Sequence, residues 1–210
     1  MVLYFTSNVT DPPAKLYMGH DKVENEELIR WGWPEDVWFH VDKLSSAHVY
    51  VRLAPGQSID EMSPELVEDC AQLVKANSIQ GNKLNDVDVV YTAWANLDKT
   101  GDMAVGQVGF KKQKAVKKTR VEKRKNEIIN RLEKTKVVKT GVDFQAEKEE
   151  RDRLEREEQK RLARAQMKKE EEERKRLDEE RKLRNYEGYF DSKQMKSNKE
   201  KADESDDDFM

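Results

Sequence analysis

The large aromatic side chains lie almost entirely in the first 110 residues, and this determines where the chain can build a hydrophobic core. Eleven of the 16 Phe, Trp and Tyr residues, including all four tryptophans, precede residue 111. Charged residues make up 40% of the chain, against about 25% in a typical globular domain. Because highly charged segments bury too little apolar surface to fold alone, we predict one domain over residues 1–110.

Three charged segments follow this predicted domain. They are a basic segment over 111–141, expected to be partly helical, a charged helix over 142–188 and a disordered acidic tail over 189–210. Residues 1–102 hold 17 acids and 8 bases, net −9, whereas residues 103–141 hold 3 acids and 13 bases, net +10. In the tail, Ser205 precedes three aspartates, a context that acidophilic kinases favour.

Within the predicted domain, short runs of β-branched and aromatic residues alternate with two helical patterns. Such runs are typical of strands; they are Val2–Thr6, Lys15–Met18, Val37–Val41, Ala47–Leu53, Val87–Thr92 and, as the last strand, Val105–Phe110. Asp21 is a suitable N-cap for a helix over Lys22–Arg30, and Ser63-Pro64 begins a second helix. We predict an α+β fold in which a small mixed sheet packs against helices.

The charged helix is expected from Gln145 to about Arg184, where glycine and proline are missing. Acidic residues repeatedly precede basic residues by four positions, a spacing that stabilises exposed helices. Its large apolar residues do not recur at heptad spacing; they are Leu154, Leu162, Met167, Leu177 and Leu183. We therefore favour a lone charge-stabilised helix, with a weak coiled coil or weak self-association as the alternative.

Several protein classes are disfavoured by what the sequence lacks. Cys70 is the single cysteine, which excludes an intramolecular disulfide or a cysteine-based zinc site. No apolar run approaches the roughly 18 residues of a transmembrane helix, and no signal peptide pattern is present. We expect a cytoplasmic protein, with the nucleus as the alternative and membrane association only as a peripheral one.

The strongest candidate binding feature is a cluster of nine bases in fifteen residues, interrupted by Glu122 alone. Clusters of this kind attract phosphate, and the predicted contacts are Lys111, Lys112, Lys114, Lys117, Lys118, Arg120, Lys123, Arg124 and Lys125. Alternatives are a solvated linker, a nuclear localisation signal, or a segment that docks on the acidic domain. Lys22 is a secondary candidate contact.

Aromatic and histidine residues supply further candidates. Trp31 and Trp33 are predicted either to stack on unpaired bases or to join the core, whereas Trp38 is predicted to be core. Since Trp38 and Phe39 point to opposite faces of a strand, both are buried only if the sheet is covered on both sides. A metal site or acid–base pair at His40 and His48, with His20, is weighed against structural histidines, which we favour.

Three ordered stretches resemble the NFACT-R domain. Residues 36–43 (DVWFHVDK) and 45–49 (SSAHV) resemble its signature, residues 19–28 its glycine and "NEEL" motif, and residues 89–92 with 106–110 its "YT…PG.V.Y" ending. The motif residues are Gly19, Asn25, Glu26, Trp38, His40, His48 and Tyr91. With the charged helix and the DDDFM end, the chain resembles the stand-alone type, the coiled-coil domain-containing protein 25 family.

The resemblance implies an RNA-binding or ribosome-associated role, because NFACT-R domains also occur in large ribosome-quality-control factors. The chain departs from many NFACT-R domains at residues 45–48, where those read proline-glycine-serine-histidine. It also lacks the other domains of the large factors, so their tailing chemistry is not carried over.

We therefore expect a nucleic-acid-binding module that needs no cofactor, with RNA favoured over DNA and the ribosome as an expected partner. Backbone contacts alone do not choose between RNA and DNA. A protein–protein scaffold using the charged helix is the second hypothesis. An enzyme has the least support, since no residue set has catalytic spacing.

Overall fold

The computed structural model describes residues 1–185, which fall into a compact unit, Met1–Arg151, and a second unit that begins at Asp152. Within this described part, no helix is long and apolar enough to cross a membrane. The predicted disorder of residues 189–210 and the predicted modification of Ser205 lie outside the described residues.

The compact unit is built on a seven-stranded antiparallel sheet with strand order β8-β5-β3-β4-β2-β1-β9. A two-stranded sheet, β6-β7, lies beside it in the same unit. The strands are β1 (Val2–Ser7), β2 (Ala14–Gly19), β3 (Asp36–Val41), β4 (Val49–Arg52), β5 (Val87–Ala93), β6 (Leu97–Asp98), β7 (Gly109–Phe110), β8 (Lys117–Val121) and β9 (Val137–Lys139).

The four α-helices are α1 (Lys22–Trp31), α2 (Pro64–Ala76), α3 (Asn126–Glu133) and α4 (Phe144–Arg184). The α+β class is confirmed, and so are the N-caps of the first two helices: Asp21 accepts from two backbone N–H groups of α1, and Ser63 accepts from Leu66. The sheet is not the mixed one expected. Strands β2 and β3 run in the same direction, but β4 returns between them and pairs with both in antiparallel register.

The main sheet continues beyond residue 110, so Val105–Phe110 is not the last strand as predicted. Only Gly109 and Phe110 of that run are strand, and they pair with β6 rather than with the main sheet. Two lysine-containing strands, β8 and β9, then close the two edges of the main sheet. In β8 only Val121 is fully buried in the core, and all three residues of β9 are exposed.

Both faces of the main sheet are covered, which resolves the placement of Trp38 and Phe39. Phe39 lies on the face that α2 covers, against residues such as Leu73 and Val74. Trp38 lies on the opposite face, with Tyr50, Tyr17 and Leu28 of α1. Trp38 is 2% exposed and Phe39 is fully buried, so the prediction that Trp38 is core is confirmed.

Helix α4 begins at Phe144, one residue before the predicted start, and ends at Arg184. Acid-first pairs four residues apart are present as predicted, for example Glu171–Lys175 at 2.8 Å and Asp178–Lys182 at 2.9 Å. The large apolar side chains beyond Arg151 are exposed, from Leu154 to Leu183.

Candidate nucleic-acid interface

The basic residues Lys111–Lys125 are not a free linker, because most of them are fixed on the compact unit. A short 3₁₀ turn at Gln113–Ala115 leads into β8, which pairs with β5 along the sheet edge. After β8, the side chain of Gln72 on α2 donates to the Lys123 carbonyl at 2.9 Å and accepts from the Lys125 N–H at 2.9 Å. The segment therefore presents its cations on a rigid edge.

Four of the nine predicted phosphate contacts are instead paired with carboxylates of the acidic domain. The ion pairs are Lys117–Asp60, Lys118–Asp42, Arg120–Asp86 and Lys125–Glu68. The side-chain hydrogen bond to Asp42 and that to Glu68 raise the pKa of Lys118 and Lys125 respectively. This arrangement matches the docking alternative, and it reduces the charge these four residues offer to phosphate.

Four other lysines of the segment are exposed and make no ion pair within residues 1–185; we call them the open lysines: Lys111, Lys112, Lys114 and Lys123. Two cations of the segment donate to neutral oxygens: Lys111 to the Ala95 carbonyl at 2.9 Å, and Arg124 to the amide oxygen of Asn82 at 2.6 Å. The open lysines lie on either side of β8. Their charge is available to an anionic ligand without breaking an internal ion pair.

Trp31 and Trp33 are both half-buried, which lies between the two predicted alternatives, a ring exposed for stacking on bases and a ring in the core. The guanidinium of Arg52 lies 3.6 Å from the centre of the Trp33 ring, and that of Arg151 lies 5.3 Å from it. The Trp31 indole donates to Glu27 at 3.1 Å. Cation–π contacts already occupy Trp33, so a base reaches that ring only by displacing an arginine.

The motif that begins at Gly19 has a structural explanation. A Cβ on Gly19 would lie 3.0 Å from the backbone nitrogen of Asn25, and Asn25 accepts a hydrogen bond from the Tyr50 hydroxyl at 3.1 Å. Glu26 binds Lys99 at 2.7 Å and accepts from the Gly106 N–H at 2.5 Å. Lys22 stands exposed at the start of α1, so it is accessible to a ligand.

The remaining motif residues belong to packed aromatic clusters. Tyr91 stacks on Phe39 with ring centres 4.9 Å apart. His40 and His48 do meet, with ring centres 4.8 Å apart, but burial lowers the pKa of both. Residues 1–185 contain no group of three or more His, Cys, Asp or Glu side chains placed to hold a metal ion.

One cluster of cations was missed by sequence reasoning because its members lie on three strands. Lys15, Arg52 and Lys139 come together on the α1 side of the sheet, around Tyr4 and Tyr17. Strand register, which no local pattern reveals, brings Lys15 opposite Arg52.

Comparison with known proteins identifies the compact unit. Residues 1–112 match the family model described as the NFACT protein RNA binding domain. A solved structure, the C-terminal part of the fibronectin/fibrinogen-binding protein from Streptococcus suis, shares the fold with a TM-score of 0.50 at 21% identity. That match covers 64% of this chain and 48% of the other.

Two relatives match over their whole length. Coiled-coil domain-containing protein 25 from Danio rerio is 61% identical over 210 residues, and its Mus musculus counterpart is 56% identical over 211 aligned residues. Both alignments cover 100% of each chain. The resemblance seen in the sequence is confirmed: residues 1–112 match the RNA-binding domain family NFACT-R, and the chain belongs to the coiled-coil domain-containing protein 25 family.

Proposed function

We propose that this chain is a non-enzymatic RNA-binding module that holds the phosphate backbone of its ligand with the open lysines. The family model is one of RNA-binding domains, which supports nucleic-acid binding in general. The observation that carries the more specific proposal is that the four open lysines are exposed, flank the edge strand β8 in the sequence and make no ion pair within residues 1–185.

The separation of open from paired lysines makes the proposal specific. A lysine already bound to a carboxylate gains little from a phosphate, because the new contact replaces an existing one. An open lysine gives up no ion pair when it binds a phosphate, and it releases a counterion from the nucleic acid. The open lysines should therefore control affinity for RNA more strongly than their paired neighbours.

Binding of the full chain to a fluorescent RNA hairpin, measured by anisotropy, tests this proposal. Lys112→Gln/Lys114→Gln is expected to weaken binding by about tenfold or more at 0.1 M salt, since each lost phosphate contact lowers the salt slope by about 0.7–0.9. Lys160→Gln/Lys169→Gln on α4 removes the same charge from exposed positions and should change affinity little. If both variants weaken binding equally, affinity depends on the overall positive charge and not on the open lysines, and the proposal is wrong.

We further propose that the RNA is ribosomal or transfer RNA and that the protein acts in the cytoplasm. The resemblance to the NFACT-R domains of ribosome-quality-control factors supports this. Crosslinking in cells, followed by immunoprecipitation and sequencing, should enrich these RNAs in a form lost at high salt. If DNA is enriched instead, the ligand is DNA and the proposal of RNA is wrong. If only proteins are recovered after nuclease treatment, the scaffold hypothesis is favoured.

A further inference from the structure

Two lysines from different strands converge on the ring of Tyr4, next to the β9 edge of the sheet. The Nζ of Lys15 lies 4.6 Å from the ring centre and that of Lys139 lies 5.3 Å from it. Tyr4 pairs with Tyr17 on β2 and with Val137 on β9, and each lysine is two residues from one of these partners. Side chains two residues apart share a sheet face, so register alone places both lysines beside the ring.

A third cation lies directly opposite Lys15. Arg52 is its cross-strand partner on β4, and like charges in that position destabilise a sheet. Asp36 balances Arg52 through two hydrogen bonds, at 2.8 and 3.1 Å. Neither Lys15 nor Lys139 makes an ion pair within residues 1–185, and Glu147 is the carboxylate that acts on Lys15 from α4.

The local electrostatics show that the cluster holds an excess of positive charge. Burial, followed by the charges of Arg52 and Lys139, lowers the pKa of Lys15, while Glu147 and Asp36 oppose that change more weakly. Tyr4 is half-buried, and its hydroxyl has no hydrogen-bond partner in the described part of the chain; burial, and then the charge of Glu147, raise the pKa of Tyr4 and so keep its hydroxyl a donor. Two ammonium groups and one free hydroxyl donor suit a phosphate group.

We propose that Tyr4, Lys15 and Lys139 form a second phosphate-binding site, which takes a backbone phosphate of the RNA bound by the open lysines. This inference rests on the proposed function and specifies its ligand. Strands β8 and β9 are the two edges of the seven-stranded sheet, and six strand spacings amount to about 29 Å. A stacked strand, which rises about 3.4 Å per nucleotide, needs about nine nucleotides to reach both sites.

The test compares a 20-nucleotide with a 5-nucleotide single-stranded RNA on the full chain and on Lys15→Gln/Lys139→Gln. For the longer RNA, the double substitution should weaken binding by about tenfold and make the log–log salt slope about 1.4 less negative. Tyr4→Phe keeps the ring and should weaken binding a few-fold. Binding of the 5-nucleotide RNA, which the open lysines hold alone, should change much less.

Thermal unfolding separates a binding role from a structural one. Because Lys15→Gln removes a like-charge cross-strand pair, the doubly substituted protein should unfold at the same or a higher temperature while its RNA affinity falls. The charge-matched Lys160→Gln/Lys169→Gln should change neither quantity.

The outcomes distinguish this inference from the proposed function. Unchanged affinity of Lys15→Gln/Lys139→Gln for the longer RNA would overturn the second site, and the proposed function would stand if Lys112→Gln/Lys114→Gln still lost binding. If the unsubstituted chain binds neither RNA, both fail. If the substitutions abolish binding to phosphatidylserine vesicles and leave RNA binding intact, the site belongs to a lipid headgroup and the inference is wrong.

Discussion

The indole Nε1 of Trp38 donates a 2.7 Å hydrogen bond to Nδ1 of His48, inside the cluster on the α1 face of the sheet. His48 is 9% exposed, and its ring also meets His40 edge to face. Because Nδ1 accepts, the neutral ring carries its proton on Nε2. Two motif residues of the family are thus explained by packing: Trp38 fixes the tautomer and orientation of His48.

The protonation of His48 makes the stability of the fold depend on pH. Burial, and then the nearby His40, lower the pKa of His48 from 6.5 to about 3. Because the pKa of His48 is lowered in the folded state, neutral His48 contributes fully to the free energy of unfolding above pH 6.5. This contribution is lost as the pH falls toward 3. Between pH 7 and pH 5 this should cost about 2 kcal/mol of unfolding free energy. Urea unfolding at pH 7 and at pH 5 should show that His48→Asn loses less unfolding free energy between these pH values than the unsubstituted protein does.

Trp38→Phe should destabilise the protein by about 1–3 kcal/mol, because it leaves the buried Nδ1 of His48 without a donor. The remaining ring preserves most of the packing, so the fold should persist in circular dichroism. Trp31→Phe is the matched control: its indole bonds Glu27 at the half-buried end of α1, and its loss should stay below about 1 kcal/mol. Equal losses would show that the Trp38–His48 bond contributes nothing specific.

Gly32→Ala should be strongly destabilising because the new Cβ would lie 2.2 Å from Nε1 of Trp94. That indole donates to the Ile29 carbonyl at 2.8 Å and stacks under Lys148 of α4, so its displacement disturbs the first turns of α4 as well. Overpacking of this kind costs about 1–3 kcal/mol. Gly101→Ala, where nothing lies within 4 Å, should leave the unfolding midpoint unchanged.

Asp36→Ala should cost about 3–5 kcal/mol, because it strands the charge of Arg52 in a largely buried position. Asp36 is fully buried and also accepts hydrogen bonds from the Tyr17 hydroxyl and the Trp33 N–H. Asp60→Ala breaks an exposed ion pair with Lys117 and should cost less than about 1 kcal/mol. Chemical denaturation of both variants checks the contrast.

The elements with a local signal could be predicted from the sequence. Asp21 and Ser63-Pro64 marked the starts of α1 and α2, and the charge pattern marked α4 to within one residue at its start. Strands β8 and β9 could not be predicted, because a run such as KKTRV looks like a solvated basic segment. It becomes a strand through pairing with β5 and through the burial of Val121.

The candidate site shows the same limit. The basic cluster was visible in the sequence, but which lysines are open depends on carboxylates such as Asp60 and Glu68, more than fifty residues away along the chain. The convergence of Lys15 and Lys139 on Tyr4 requires the register of three strands. Long-range pairing of this kind leaves no local pattern.

The salt dependence of RNA affinity tests the central claim most directly, with the full chain and Lys111→Gln/Lys112→Gln/Lys114→Gln/Lys123→Gln compared on one single-stranded RNA. If the open lysines each neutralise a phosphate, the slope of log affinity against log salt concentration is about −3 or steeper for the full chain. The fourfold substitution then makes this slope about 3 less negative. A slope near zero, or one that the substitution leaves unchanged, would contradict the account.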